Sequence, residues 1–290
     1  MKPELNRREF GALAVKTGVA ALLAAVVDGF IVEPHLRMVA EHVAIRLNRL
    51  PPEFDGLRLA QLTDIHFGPN IGRNHVEKAM QMAVAFKPDV VVLTGDFVSH
   101  PLLKPNRRQG AKFAEPCANA LAQFKRVPQI AVLGNHDHWT DPEIVHHALA
   151  ERSINVLRNA CFVLERGDKR LWIAGIDDAF ERKADLNAAL ALIPADEPTI
   201  LLAHEPDYAD YAARFPIDLQ LSGHSHGGQV RLPGIGPLIL PHLARKYHTG
   251  HYRIGKLQLY TSRGVGVINP PVRFNCPPEV TLITLKSQPS

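Results

Sequence analysis

Cysteine is scarce in this chain. Only Cys117, Cys161 and Cys276 occur among 290 residues, and none of them forms a Cys-x-x-Cys pair. That argues against a zinc ribbon or a thioredoxin-like redox site. Two of the three could pair in an oxidising compartment. The odd count nevertheless speaks against a disulfide framework, and buried or semi-buried thiols acting as small hydrophobes are the default expectation. Aromatic residues are few, at 7%. Lys and Arg are scattered and form no stripe interleaved with aromatics, so a nucleic-acid groove is not indicated. The formal net charge is only +4, a mild bias still compatible with an anionic phosphate substrate. Internal repeats and low-complexity segments are missing as well.

Length and apolar content are present in good measure. With 290 residues, 46% hydrophobic and 21% charged, the chain can form one large soluble domain with a sizeable core. The one long weakly apolar run lies near the N-terminus, from Gly11 to Val27, and Lys16 interrupts it. Before it, Asn6-Arg7-Arg8-Glu9-Phe10 fits the twin-arginine export pattern of two arginines, a spacer and a bulky apolar residue. Lys2, Arg7, Arg8 and Lys16 outnumber Glu4 and Glu9 there. Residues 1–30 are therefore expected to be a twin-arginine-type signal peptide or membrane anchor, and residues 31–290 the folded domain. An ordinary signal peptide or a transmembrane anchor is the competing reading. No clean small-x-small site precedes Asp28, so cleavage stays open. The expected location is across or on the cytoplasmic membrane, on the periplasmic or cell-envelope side, with the twin-arginine machinery as a partner. That route is understood to carry folded proteins, which would suit a metal centre loaded in the cytoplasm.

Beyond residue 31 the pattern predicts alternating strands and helices. Val43, Ile45 and Leu47 alternate with polar or small residues in an outer strand over His42–Leu50, which Pro51-Pro52 ends. Strands are predicted over Leu57–Leu62, Asp89–Thr94, Gln129–Leu133, Asn155–Leu157, Cys161–Glu165, Leu171–Gly175, Thr199–Ala203, Asp218–Leu221, Leu257–Thr261 and Val280–Leu285. The unbroken apolar run ending at Thr94 predicts burial on both faces. Helices are predicted over Val76–Phe86, Gly110–Phe124 and Asp185–Leu192, after Pro206, and from Asp141-Pro142, with Asp141 as N-cap and Pro142 at the first turn. This is an α/β chain with a mixed sheet or two stacked sheets.

Five motifs follow the ends of apolar runs: Asp64-Ile65-His66, Gly95-Asp96, Gly134-Asn135-His136-Asp137, His204 and Gly223-His224-Ser225-His226. Strand ends at one edge of an α/β sheet converge, and sites form there. Asp64 and His66, two apart in extended backbone, would face one side and hold one ion; a capping aspartate beside a surface histidine is the bland alternative. Asp96, at the end of a buried strand, needs a cation to compensate its desolvation and is the candidate bridge between two metals. Alone, it would read as a turn residue. The Asn135 amide oxygen can bind a cation without adding charge. His136 could then face the substrate, with Asp137 accepting a hydrogen bond from its ring. A Gly-Asn hairpin turn, with His138 and Trp139 as loop packing, is the alternative. His204 alone carries little, whereas His224 and His226 place two imidazoles together among glycines. Jointly the motifs supply oxygen and nitrogen ligands for two adjacent metal ions, a combination used for in-line attack on phosphorus. Without thiolates, the set suits Mn, Fe or Zn.

These motifs resemble those of calcineurin-like metallophosphoesterases from about Leu57 to Leu285. The similarity extends to a bacterial branch of exported or membrane-tethered members through Gly223-His224-Ser225-His226-Gly227-Gly228-Gln229, Lys246-Tyr247, Ser262-Arg263-Gly264, Arg273-Phe274-Asn275-Cys276 and Pro278-Glu279. The resemblance implies a four-layer αββα sandwich of two mixed β-sheets flanked by helices. It implies one metal on Asp64, His66 and His226, a second on Asn135, His204 and His224, and Asp96 bridging them. It makes His136 the catalytic histidine, supported by Asp137. The expected reaction is hydrolysis of a phosphodiester or phosphomonoester by a hydroxide bridging the metals. Ser99 departs from the pattern, since many members carry an acid there. Some relatives cleave UDP-2,3-diacylglucosamine in lipid A synthesis, so a lipid-linked pyrophosphate is an alternative substrate. Arg231–Lys256, with Leu238, Ile239, Leu240 and Leu243 beside Arg245 and Lys246, is either a lip for a lipid-linked phosphate or membrane surface, or a structural arm. A non-catalytic metal-binding scaffold on the same fold is the alternative of another class.

Overall fold

Among the residues that a computed structural model of the protein describes, 7–101, 104–122 and 127–288, fourteen strands build two six-stranded sheets and one short hairpin. Lys2, Glu4, Asn6 and the expected helix end at Phe124 lie outside the described residues. The strands are β1 (Val39–Arg46), β2 (Arg58–Leu62), β3 (Val90–Thr94), β4 (Gln129–Val132), β5 (Asn155–Val156), β6 (Ala160–Arg166), β7 (Lys169–Gly175), β8 (Thr199–Leu202), β9 (Leu219–Ser222), β10 (Arg231–Leu232), β11 (Gly236–Pro237), β12 (Gly250–Ile254), β13 (Leu257–Thr261) and β14 (Glu279–Lys286). The α-helices are α1 (Arg7–Val27), α2 (Glu33–Leu36), α3 (Arg73–Ala85), α4 (Ala114–Leu121), α5 (Asn135–Thr140), α6 (Pro142–Ala150), α7 (Leu186–Leu190) and α8 (Ala209–Ala212).

The first sheet runs β1-β14-β2-β3-β4-β5 and the second β12-β13-β9-β8-β7-β6; β10 and β11 form the hairpin. Within the first, β2 to β5 are parallel and β14 is antiparallel to β2. Within the second, β13, β9, β8 and β7 are parallel, with β12 and β6 antiparallel at the edges. Side-chain alternation assigns the layers. Val90 and Val92 join Ile173, Ile200 and Leu221 between the sheets. Val91 and Leu93 point the other way, against Met80, Leu121 and Val145 of α3, α4 and α6. On the far side, Ala174, Leu201 and Leu259 pack on Leu186 and Ala209 of α7 and α8. Helix, sheet, sheet and helix are thus stacked as the motifs implied.

Some boundaries differ from those read in sequence. The outer strand begins at Val39 and pairs in parallel with β14 alone. The helix expected from Gly110 is a 3-10 run over Lys104–Phe113 that becomes α-helical only at Ala114; a sequence containing Pro105 and Gly110 favours the tighter, shorter-lived geometry. Asp141 caps α6 through a bond from the Ile144 amide, and Asp185 caps α7 through Ala188. The three cysteines are free, with Cys117 and Cys276 buried.

The N-terminal apolar stretch is a helix that does not stop at residue 30. α1 continues through a π-helical turn over Asp28–Val32 into α2. It buries none of its residues, and by length and composition it could cross a membrane. Its foot is tied to the body. The Arg273 amide donates to the Gly29 carbonyl at 2.8 Å. The buried Glu33 carboxylate accepts from the amides of Asn275 and Cys276.

Candidate metal centre

Parallel strands from both sheets end on one edge. The loops after β2, β3 and β4 carry Asp64 and His66, Asp96, and Asn135 and His136; those after β8 and β9 carry His204, then His224 and His226. Space between these loops is minimal. A Cβ on Gly134 would lie 2.4 Å from Asp96 Oδ1, and one on Gly223 would lie 2.3 Å from Asp64 Oδ2. Glycine is therefore required at both positions for the strand ends to approach.

The expected donors meet in two overlapping groups. Asp64, His66, Asp96 and His226 form one, and Asp96, His204 and His224 the other; within each group the donor atoms lie within 4.8 Å of one another. Asp96 belongs to both. His66 Nε2 and His226 Nε2 are 3.0 Å apart. His66 Nε2 lies 3.5 Å from Asp96 Oδ2, and His226 Nε2 lies 3.3 Å from Asp64 Oδ1. His204 Nε2 is 3.3 Å from Asp96 Oδ2. The Asn135 side-chain oxygen is buried without a hydrogen-bond partner, as is His204 Nε2. The orphaned Asn135 oxygen costs roughly 1–3 kcal/mol in a dry site, and a cation would satisfy it.

Neighbouring carbonyls orient two of the rings. His204 Nδ1 lies 2.6 Å from the Thr94 carbonyl, which commits that nitrogen as donor and turns the lone pair of Nε2 inward. His224 Nε2 lies 2.8 Å from the His242 carbonyl, leaving Nδ1 as its free ligand atom. Burial pushes His66 down to about 4 and His226 well below its usual range. Both are thereby neutral imidazoles, the form that ligates metal. Burial, together with the Asp96 charge, raises the Asp64 carboxyl to about 7.

The route by which His-x-His and Asp-x-His pairs converge differs from expectation. Extended backbone would place residues two apart on one side. Instead Asp64, His66, Asp96, His224 and His226 all have positive φ, between 48° and 65°. Left-handed backbone in non-glycine residues costs on the order of 1–2 kcal/mol each, and such strain collects at functional sites. It aims each side chain by a sharp turn after the strand.

The expected bond from the His136 ring to Asp137 is absent. The buried Asp137 carboxylate instead accepts from the amides of Asp96 (3.0 Å), Phe97 (2.9 Å), Val98 (3.3 Å) and Gly134 (3.0 Å). Asn135 opens α5, so Asp137 lies on its first turn and points back at the strand ends. It joins the β3 and β4 loops. His136 faces the cavity with Nε2 4.0 Å from Asp96 Oδ2. Its amide donates to Asp96 Oδ1 at 2.8 Å. Ser99, where the family pattern often has an acid, donates to the His66 carbonyl at 2.9 Å.

Sequence reasoning passed over His100, which stacks on His136 with ring centroids 4.6 Å apart. Its place four residues after Asp96, in the same loop, was the available signal. Trp139, read as a loop-packing residue, lies along the cavity wall with Arg107 4.3 Å over its ring. His138 does pack structurally, 2.7 Å from Asp177.

Over residues 57–228 the chain matches the calcineurin-like phosphoesterase family. It belongs to that family. As a calcineurin-like phosphoesterase it is 33% identical to the uncharacterized metallophosphoesterase YkuE of Bacillus subtilis (strain 168), over 98% of this chain and 99% of that protein. It is 30% identical to phosphodiesterase YaeI of Escherichia coli (strain K12), over 77% of this chain and 80% of that one. A transmembrane protein with metallophosphoesterase domain from Danio rerio is 36% identical to this phosphoesterase, over 84% of this chain and 56% of the relative. A crystal structure of TT1561 from Thermus thermophilus shares the fold, with TM-score 0.50 and 13% identity over 72% of this chain and 90% of that one.

Proposed function

We propose that this calcineurin-like phosphoesterase is a two-metal hydrolase of phosphodiesters or phosphomonoesters. The observation that carries the reading is Asp96, shared by two donor groups beside the unpartnered buried oxygen of Asn135. Asp64, His66 and His226 would hold one ion, Asn135, His204 and His224 the other, and Asp96 both. Mn, Fe or Zn suits this set of carboxylate, amide and imidazole donors. Two such ions supply Lewis acidity, which neutralises phosphate charge and acidifies water.

The chain's own residues do the rest. Asp137 fixes the two loops that carry Asp96 and Asn135. The Thr94 and His242 carbonyls set the His204 and His224 tautomers. His136 lines the cavity and would offer the leaving oxygen a proton from Nε2, although burial holds its pKa well below the usual range without a bound anion. The buried strand ends keep bulk water away from the donors that would hold the ions.

Metal-loaded protein is expected to hydrolyse bis-p-nitrophenyl phosphate, to lose that activity on chelation and to regain it with manganese. Metal bound at two equivalents without turnover of any phosphoester would instead support a scaffold role. We also propose that residues 7–36 anchor the protein to a membrane, as the exposed apolar helix and the names of the transmembrane relatives support. After an alkaline carbonate wash the protein should stay with the membrane pellet. Full recovery in the supernatant would remove the anchor.

A further inference from the structure

A cavity of about 550 Å³ opens over Asp96, Asn135, His136, His224 and His226 and extends well past them. Its far wall is aliphatic, made by Val230, Leu238, Ile239, Ile268 and Val272. Among the described residues, no Lys or Arg lines it. A second phosphate, as in a nucleotide or pyrophosphate, would find no cation beyond the donor cluster.

Of the polar side chains along the cavity, Gln229, Ser225 and Trp139 are spent on the protein itself, while His242 and Asn269 also line it. The Gln229 amide accepts from the Ile268 amide and donates to the carbonyls of Ile268 and Pro270. Ser225 Oγ donates to the His248 carbonyl and accepts from the Gly227 amide. Trp139 Nε1 donates to Glu181. A sugar or base needs hydrogen-bond partners along its length, since a polar group desolvated without one loses binding energy. A hydrocarbon needs only apolar area.

The rim continues the pattern. Ile239 is 80% exposed, Leu238 54% and Ile235 74%, grouped on the hairpin of β10 and β11 and the residues after it. Val272 also carries the foot of the apolar N-terminal helix, because a Cβ on Gly29 would lie 3.2 Å from Val272 Cγ2. One residue therefore borders both the cavity and the candidate membrane span. An acyl or alkyl chain could pass from lipid to the cavity along apolar surface.

We propose that the site takes a phosphoester bearing one long aliphatic chain, with the phosphate at the Asp96 end and the chain along the Val230, Leu238, Ile239, Ile268 and Val272 wall. The inference rests on the hydrolase reading above and adds the substrate class to it.

The test is a series of alkyl p-nitrophenyl phosphates, from methyl to octyl, given to the manganese-loaded full chain below their micelle concentrations. Leaving group and charge stay constant while the tail grows. Burial of each methylene predicts that kcat/KM rises about two- to fourfold per added carbon until the wall is covered. Values within twofold across an active series would overturn the tail assignment and leave the hydrolase intact. No turnover of any member, methyl included, would overturn this inference, and if p-nitrophenyl phosphate is also left intact the hydrolase reading falls with it. Ile239→Asp and Leu238→Asp sit on exposed side chains and should not disturb folding. Each is expected to cut the gain per carbon to below about 1.5-fold, because a carboxylate beside the chain must be desolvated. An undiminished gain in both variants would overturn the placement of the chain on this wall.

Discussion

Asp96→Asn is expected to lower manganese-dependent kcat/KM on the order of 10³-fold or more while leaving the fold intact. The substitution removes the one negative charge common to both donor groups. An amide cannot offer two anionic oxygens to two cations, so metal uptake should fall with activity. The backbone should tolerate it. Asp96 has φ 58°, and asparagine enters that region as readily as aspartate does. The amide oxygen can still accept from the His136 amide, which now donates to Asp96 Oδ1. Activity, metal content by elemental analysis and far-ultraviolet circular dichroism together check this. A variant that keeps most of its activity at full metal occupancy would refute the bridging role.

Arg273→Met should be the most damaging change for stability, with a loss of roughly 5 kcal/mol. Arg273 is the largest fully buried side chain and is 0% exposed. Its guanidinium donates to the carbonyls of Arg263, Gly264, Gly266 and Cys276. Each carbonyl left without a donor costs roughly 1–3 kcal/mol, and methionine fills the volume but satisfies none. Three of these carbonyls, those of Arg263, Gly264 and Gly266, belong to the loop over Asp64, since the amides of Val265 and Gly266 bond to the carbonyls of Thr63 and Asp64. A chain of this size would lose about 8 °C in Tm. Arg273→Lys should fall between the two, because one ammonium cannot span four carbonyls. Thermal unfolding followed by circular dichroism measures both. A shift below about 2 °C for Arg273→Met would mean that the loop is held by other contacts.

The parts of the molecule written locally were legible in the sequence. The run from Val90 to Thr94 declares a strand buried on both faces because every position is apolar or small, and its alternate residues do feed two cores. Asp141 announces a helix start because capping needs one side chain and the next turn. The donors are legible for a related reason: each sits just past an apolar run, where the chain must turn. What could not be read depends on contacts between distant segments. Asp137 looks like a partner for His136 because it is adjacent, yet its carboxylate points back at β3, a direction set only once Asn135 starts a helix. Arg273 lies in a stretch with no periodicity, and nothing local says that a guanidinium there is dry. The left-handed turns at the donors are equally silent, because histidine and aspartate carry no conformational mark of the kind glycine does.

The placement of β14 governs the order of assembly. It lies between β1 and β2, pairing residue by residue with Val39–Arg46 on one side and with the residues from Arg58 to Gln61 on the other. Domains generally fold as units during synthesis, N-terminal parts first. Here β1 gains its partner only once Glu279–Lys286 have left the ribosome. Asn275 and Cys276, which receive Glu33, also emerge late. The apolar helix is therefore joined to an unfinished body until those residues emerge, and is clamped to it only as β14 closes the sheet.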